Sequence, residues 1–302
     1  MGPPVSRPPS APLRAEAVHA ALAGPGSCGG DAGRFWTSIE VVAVTGSTNA
    51  DLLRRGGPEG QVLVAESQTA GRGRMGRSWV SEPGASLTFS VLLRPVAVPP
   101  ARRGWLPLLT GVAVASAVRD VSGVPATLKW PNDVLAGPRK LAGILAEQSG
   151  DAVVVGIGLN VSTPPGALPD VPAGGLPATS LLAEGASVPR EAVLAGILRE
   201  LAARYLAFRA DPDAARGGLL AEYRALCATL GRSVRVELPG GRVLAGAAAD
   251  IDPDGRLLVT PGGESPVAVS AGDVIHLRSL WPGRRMSGAG RPGSSYDVWY
   301  GV

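Results

Sequence analysis

The spacing of apolar residues changes character at Gly231, and this limits the chain to two unlike units. Ahead of that point, strands and helices are mixed. Segments 39–44, 62–66, 86–93, 127–135, 140–147 and 152–161 read as strands, and 50–55, 105–121, 190–210 and 214–228 as helices. Beyond it come the short strands 233–238, 243–250, 257–260, 267–270 and 274–277, parted by turns such as Asp252-Pro253-Asp254-Gly255. Five short strands in so little chain predict a small SH3-like β-barrel. The sequence thus predicts an α+β protein with a large unit over 34–229, a barrel over 230–281 and two loose ends. Residues 1–33 hold a Pro-rich start, a short helix over 13–22 and a loop over 24–33; residues 282–302 are Gly-, Ser-, Arg- and Pro-rich, which predicts disorder.

Aromatic residues are only 4% of the chain, so the core is built from Val, Leu, Ile and Ala. A formal net charge of +4 over 302 residues does not require a nucleic-acid partner. Nearly all the positive charge is arginine, and the two lysines, Lys129 and Lys140, lie close together. A chain that uses Arg almost everywhere singles out these two as positions where a planar guanidinium would not serve. Cys28, Cys227, His19 and His276 do not cluster, which argues against a zinc site or a disulfide framework. No apolar run is long enough to span a bilayer, and Arg14, Glu16 and His19 break the only stretch resembling a signal peptide, so a cytoplasmic location is expected and no membrane partner. The segment ahead of residue 35 is too short for a winged helix-turn-helix, so no DNA partner is expected either.

Four segments carry chemistry. Gly71-Arg72-Gly73-Arg74-Met75-Gly76-Arg77 combines exposed backbone amides with charge that cannot be titrated away, suited to phosphate or carboxylate. It lies between strands, so it is not a dinucleotide fingerprint, it lacks the Gly-Lys-Ser/Thr ending of a P-loop, and a plain basic surface loop would look similar. Lys129-Trp130-Pro131-Asn132-Asp133 runs from a strand into a turn, where Asn and Asp are common for local reasons. In Lys140-Leu141-Ala142-Gly143-Ile144-Leu145, alternation sets Lys140, Ala142 and Ile144 on one face and Leu141, Gly143 and Leu145 on the other. Gly156-Ile157-Gly158-Leu159-Asn160 is a strand weakened by two glycines, which suggests a packing or ligand reason for them. The stretch 162–178 is a long Pro/Gly loop of the kind that often borders a site.

Taken in order, Ser47-Thr48-Asn49, Gln68 through Trp79, Lys129 to Asp133, Lys140 to Leu145 and Gly156 to Asn160 resemble the successive signatures of biotin–protein ligases, and the resemblance covers roughly residues 35–280. It implies a mixed sheet flanked by helices, like that of class II aminoacyl-tRNA synthetases, followed by an SH3-like barrel. It implies activation of biotin by ATP and Mg²⁺ to biotinyl-5′-AMP, and transfer of biotin to a lysine of a biotin carboxyl carrier domain. By this resemblance Ser47, Thr48, Asn49 and Gln68 hold the polar end of biotin, and Gly143, Ile144 and Gly156 line its pocket. Gly71, Arg72, Gly73 and Arg74 close over biotin and the phosphates. Arg72, Arg74, Arg77, Trp79, Lys129, Asn132, Lys140 and Asn160 serve ATP and the adenylate. Lys140, Arg74 and Asp133 carry the chemistry, with Asp133 near Mg²⁺ and no metal site made by protein alone. The 162–178 loop offers no aromatic to stack on adenine. A lipoate or octanoate ligase or transferase of the same fold, a nucleic-acid-binding protein and a non-catalytic biotin-binding regulator are the competing readings.

Overall fold

Two sheets organise the chain in a computed structural model, which describes residues 11–23, 30–171, 175–238, 241–262, 264–270 and 272–277. The first unit contains α1 (Ala15–Ala23), α2 (Gly30–Phe35), β1 (Ser38–Thr45), α3 (Thr48–Arg55), β2 (Gln61–Gln68), β3 (Ser86–Leu93), α4 (Trp105–Ser122), β4 (Ala126–Lys129), β5 (Asp133–Ala136), β6 (Arg139–Ser149), β7 (Ala152–Asn160), α5 (Arg190–Ala210) and α6 (Pro212–Leu226). The second contains β8 (Ser233–Glu237), β9 (Val243–Ile251), β10 (Leu257–Thr260), β11 (Val267–Val269) and β12 (Asp273–His276). The large sheet runs β1-β2-β3-β7-β6-β5-β4, with β1 parallel to β2 and the other pairs antiparallel. The small sheet runs β11-β10-β9-β8-β12, all antiparallel. This is the mixed sheet flanked by helices and the separate small β-unit that the sequence implies.

The two faces of the large sheet differ because its strands alternate. Leu87, Phe89, Val91, Val153, Val155, Ile157 and Ile144 join the main core with α4 and α5. On the opposite face, Leu63, Leu92 and Val154 pack beneath Leu52 of α3. Past α3 that face turns to Ser86, Thr88 and Ser90 on β3, paired with Asn160, Gly158 and Gly156 on β7. Among the described residues, only the first turn of α3 reaches over this polar and glycine half, and the site lies there.

Three expectations need correction. Segment 127–135 is not one strand but the β4–β5 hairpin, since Pro131 has no amide to give a ladder; the Trp130–Pro131 bond is cis. The loop expected over 24–33 ends early, because Gly30–Phe35 is helical. The start of the chain is also no loose extension where it is described. Leu13, Val18 and Leu22 are buried in the main core, and Arg199 donates to the Ala21 carbonyl at 2.9 Å. The disorder expected over 282–302, and over the first ten residues, lies outside the described residues.

A buried ion pair fastens that N-terminal segment. Arg190, at the start of α5, meets Glu66 on β2 at 2.7 Å, with side-chain exposures of 7% and 13%. Arg190 also donates to the Ala11 carbonyl at 2.9 Å, while Glu66 accepts the Leu13 amide at 2.6 Å. Removing one partner strands the other charge in the interior. Arg190→Ala is therefore expected to cost about 3–5 kcal/mol of unfolding free energy, read by urea denaturation. A loss below ~1 kcal/mol, as for a surface pair, would show that water reaches Glu66 freely.

The small unit is fastened to the large one by directional bonds. The Trp105 and Trp130 indole N–H groups donate to the carbonyls of Pro253 and Gly255, each at 3.0 Å. Arg224 grips Asp250 through Nε at 2.7 Å and Nη2 at 2.6 Å. Among the described residues no helix is long and apolar enough to cross a membrane.

Candidate active site

The uncovered half of the sheet forms the floor of a cavity of about 280 Å³, bordered by α3, the 71–79 loop, the β4–β5 hairpin, the 162–178 segment and Asp273 of β12. At one end the floor is a hydrogen-bonded polar cluster. Ser47 caps α3, its hydroxyl accepting from the Ala50 amide at 3.5 Å, which places Thr48 and Asn49 in the first helical turn. Gln68 Oε1 accepts from the Thr48 amide at 2.8 Å and from its hydroxyl at 3.1 Å. Ser90 Oγ lies 2.7 Å from Thr48 Oγ1 and 2.6 Å from Asn49 Oδ1, and its one proton serves one of them at a time. Asn49 Nδ2 donates to the Leu145 carbonyl at 3.1 Å and to Glu147 at 2.8 Å. Four side chains from three elements are thereby locked before any ligand arrives. Gly156 is essential to this arrangement: a Cβ there would come within 2.2 Å of Asn49 Oδ1.

The other end is cationic. Lys140 Nζ lies 2.7 Å from Asp133 Oδ1, and Lys129 Nζ lies 3.6 Å from Oδ2 of the same carboxylate. Strict alternation would have set Lys140 on the face away from Gly143. In the pairing with β5, however, Leu135 faces Lys140 and Val134 faces Ala142, so Leu141 is the extra residue of a bulge. The bulge turns Lys140 onto the cavity face, where its Nζ would lie 3.3 Å from a Cβ on Gly143. Burial holds Lys129 below the ordinary lysine range; Asp133 and Asp273 oppose that shift, while Lys140 and Arg77 add to it. His276, behind this cluster, is pushed down to about 4 by burial and then by Lys129 and Arg232, so it is neutral at pH 7.

Asn132 is tied to the sheet at both backbone and side chain. Its carbonyl accepts the Ile144 amide at 2.9 Å, its Nδ2 donates to the Ile144 carbonyl at 3.1 Å, and its Oδ1 accepts from Arg74 at 3.2 Å. Ile144 consequently borders the cavity with its backbone. Its side chain faces α4, where a Cβ on Gly111 would lie 3.7 Å from Cδ1.

The 71–79 segment folds back on itself. Arg72 and Ser78 form an antiparallel bridge, Trp79 donates to the Gly71 carbonyl at 3.0 Å, and Gly73 donates to Arg77 at 2.6 Å. Met75 and Gly76, with φ of 55° and 74°, make the reversal. Gly71 allows the return strand to approach, since a Cβ there would lie 2.4 Å from the Trp79 carbonyl oxygen. The Trp79 ring lies on the glycine floor, where a Cβ at Gly158 would come within 2.2 Å of it. Among the described residues its buried Nε1 has no partner. Arg74 donates to a neutral amide, and among the described residues no carboxylate pairs with it. Burial depresses its pKa, with Asp273 and Asp133 acting against the shift.

Asn160 sits at the cavity wall with both amide groups engaged: Nδ2 donates to the Thr179 carbonyl at 2.9 Å, and Oδ1 lies 3.5 Å from Ser86 Oγ. It tethers the far end of the 162–178 loop, which also pairs with Lys140 through the Pro177 carbonyl and the Thr179 amide, each at 2.8 Å. That loop brings Pro169, Asp170, Leu176 and Ala178 to the cavity edge.

All the expected site residues thus gather around one cavity or its immediate supports. Sequence reasoning missed Thr88, Ser90, Glu147 and Asp273. The first three were legible, because Ser86, Thr88 and Ser90 alternate on one strand and Glu147 shares the parity of Gly143. Asp273 gave no signal, as it belongs to the other unit.

Comparison with known proteins agrees with this geometry. Residues 39–162 match the biotin/lipoate A/B protein ligase family, and residues 229–277 match the biotin protein ligase C-terminal domain. The chain is 49% identical over 257 residues to a protein of Mycobacterium tuberculosis (strain ATCC 25618 / H37Rv) named biotin–[acetyl-CoA-carboxylase] ligase, covering 82% of this chain and 92% of that one. It is 34% identical over 249 residues to the bifunctional ligase/repressor BirA of Escherichia coli (strain K12), covering 80% and 74%. The biotin protein ligase of Aquifex aeolicus, solved in complex with biotin and ATP, superposes with a TM-score of 0.69 at 28% identity, over 80% of this chain and 100% of that one. The polar cluster, the cationic end and these likenesses together make the chain a member of the biotin/lipoate A/B protein ligase family, of the biotin protein ligase branch.

Proposed function

We propose that this protein activates biotin with ATP to biotinyl-5′-AMP and transfers biotin to a specific lysine of a biotin carboxyl carrier domain in the cytoplasm. The observation that carries the reading is one cavity with a preformed polar cluster at one end and an excess of cations at the other. Thr48, Asn49 and Gln68 suit the ureido end of biotin, whose N–H and C=O groups need partners once they leave water. The carboxylate then reaches Lys140. A biotin carboxylate oxygen bonds to the α-phosphorus as the bond to pyrophosphate breaks. Negative charge grows on the phosphorus oxygens, where Lys140 stabilises it, while Arg74 holds the adenylate once it has formed. In the second step the neutral carrier amine attacks the acyl carbon, AMP leaves with the bonding pair, and the amine proton passes to solvent or a nearby base.

Asp133 is held between two ammonium groups, so we read it as the group that orients Lys140 rather than as a free base or metal ligand. Asp273 is taken by Arg77, and among the described residues no cluster of three His, Cys, Asp or Glu side chains could hold a metal. We take Mg²⁺ to arrive with ATP as part of the substrate, bound largely by phosphate and water. Trp79 shields the floor beside Lys140.

The test is ATP–pyrophosphate exchange. Biotin is expected to support it and lipoate, which lacks a ureido group, to support little. Equal exchange with both acids, or exchange with neither, would overturn the assignment.

A further inference from the structure

The arginines of the 71–77 loop are anchored to three different parts of the molecule. Arg72 meets Glu147 on β6 at 3.3 Å, Arg74 meets Asn132 at 3.2 Å, and Arg77 meets Asp273 at 2.7 Å. The third contact crosses from the large unit to the small one. Asp273 opens β12, and it borders the cavity.

Its base is rigid. Three residues further along β12, His276 Nε2 lies 3.0 Å from Thr229 Oγ1, which accepts the Trp130 amide at 3.1 Å. The two tryptophan bonds and the Arg224–Asp250 grip hold the same unit against the sheet. The loop on the other side of the contact is weakly packed: Met75, Gly76, Arg77 and Ser78 are exposed. A carboxylate on an anchored strand therefore faces a loop with few apolar contacts of its own.

We propose that the SH3-like unit latches the 71–77 loop over the cavity, with Asp273 as a positioning residue that holds Arg77. The purpose of the latch, keeping the adenylate under cover, rests on the ligase reading; the latch itself does not. With Arg77 46% and Asp273 27% exposed, the pair is a weak one. It biases the loop toward closure yet opens often enough to admit ligands.

The test uses the full chain without ligand and a low dose of trypsin. Cleavage after Arg72, Arg74 or Arg77 yields fragments beginning at Gly73, Met75 or Ser78. Asp273→Asn is expected to speed this cleavage about two- to fivefold at low ionic strength. Asp273→Glu should stay near the wild-type rate, and raised salt should bring wild type toward the Asn rate. Should Asp273→Asn be cleaved throughout the chain, the exchange Arg77→Asp with Asp273→Arg decides, read at Arg72 and Arg74; protection regained supports the latch, and protection not regained overturns it. Unchanged loop cleavage in Asp273→Asn, or an acceleration that salt does not erase, also overturns it. Because no ligand is present, failure of biotin-dependent exchange would leave this result untouched.

Discussion

Lys140→Ala is expected to lower biotin-dependent ATP–pyrophosphate exchange by about 10²- to 10³-fold, the usual cost of losing a fixed group that stabilises transition-state charge. Lys140→Arg is expected to recover little. The bulge at Leu141 aims the ammonium into a narrow place, 2.7 Å from Asp133 and against the Gly143 backbone. A guanidinium is planar and wider, and its charge centre cannot occupy the same point. Biotin binding, measured separately by calorimetry, should fall far less than exchange, because the polar cluster that grips the ureido end is untouched. Near-normal exchange in Lys140→Ala would remove Lys140 from the chemistry, and near-normal exchange in Lys140→Arg would show that a guanidinium serves there.

Arg74→Gly is expected to release the adenylate about 10- to 100-fold faster, the scale of one lost charge-assisted hydrogen bond, while still forming it. Arg74 is the guanidinium of the loop without a carboxylate partner among the described residues, so it is the one available to an anion. Glycine removes that contact and the tie to Asn132, and it loosens a loop that already carries Gly71, Gly73 and Gly76. Escaped biotinyl-5′-AMP would acylate lysines on bystander proteins, so labelling of an added unrelated protein should rise with the release rate. Loss of adenylation with no faster release would place Arg74 in the chemical step instead. Without ligand the segment is already folded over the cavity, held by three polar contacts at its arginines.

Much of the site was legible because each of its parts is a local pattern. The Gly/Arg loop, the two lysines of an arginine-rich chain, the capped helix after Ser47 and the paired glycines of β7 are short-range features, and short range is what sequence spacing reports. The resemblance then supplied an order that no single segment could. The two glycines of β7 implied a packing or ligand reason, and the side chains of Asn49 and Trp79 are what approach Gly156 and Gly158.

The sequence by itself determined the change of pattern after Gly231, most of the strands and helices, and the chemical types gathered at the site, since these follow from periodicity, turn residues and composition; it missed α2 and the split of 127–135 into β4 and β5. The tertiary structure alone decided where the side chains point and which units meet. A one-residue bulge reversed the predicted direction of Lys140, because a strand of period two flips every following side chain when one residue is added. Glu66 and Arg190, 124 positions apart, became a buried pair that fastens the N-terminal segment. Asp273 reached the cavity only through the docking of the small sheet by Trp105 and Trp130. Contacts across such separations leave no spacing to read, because they depend on how finished elements pack and not on the order in which their residues are written.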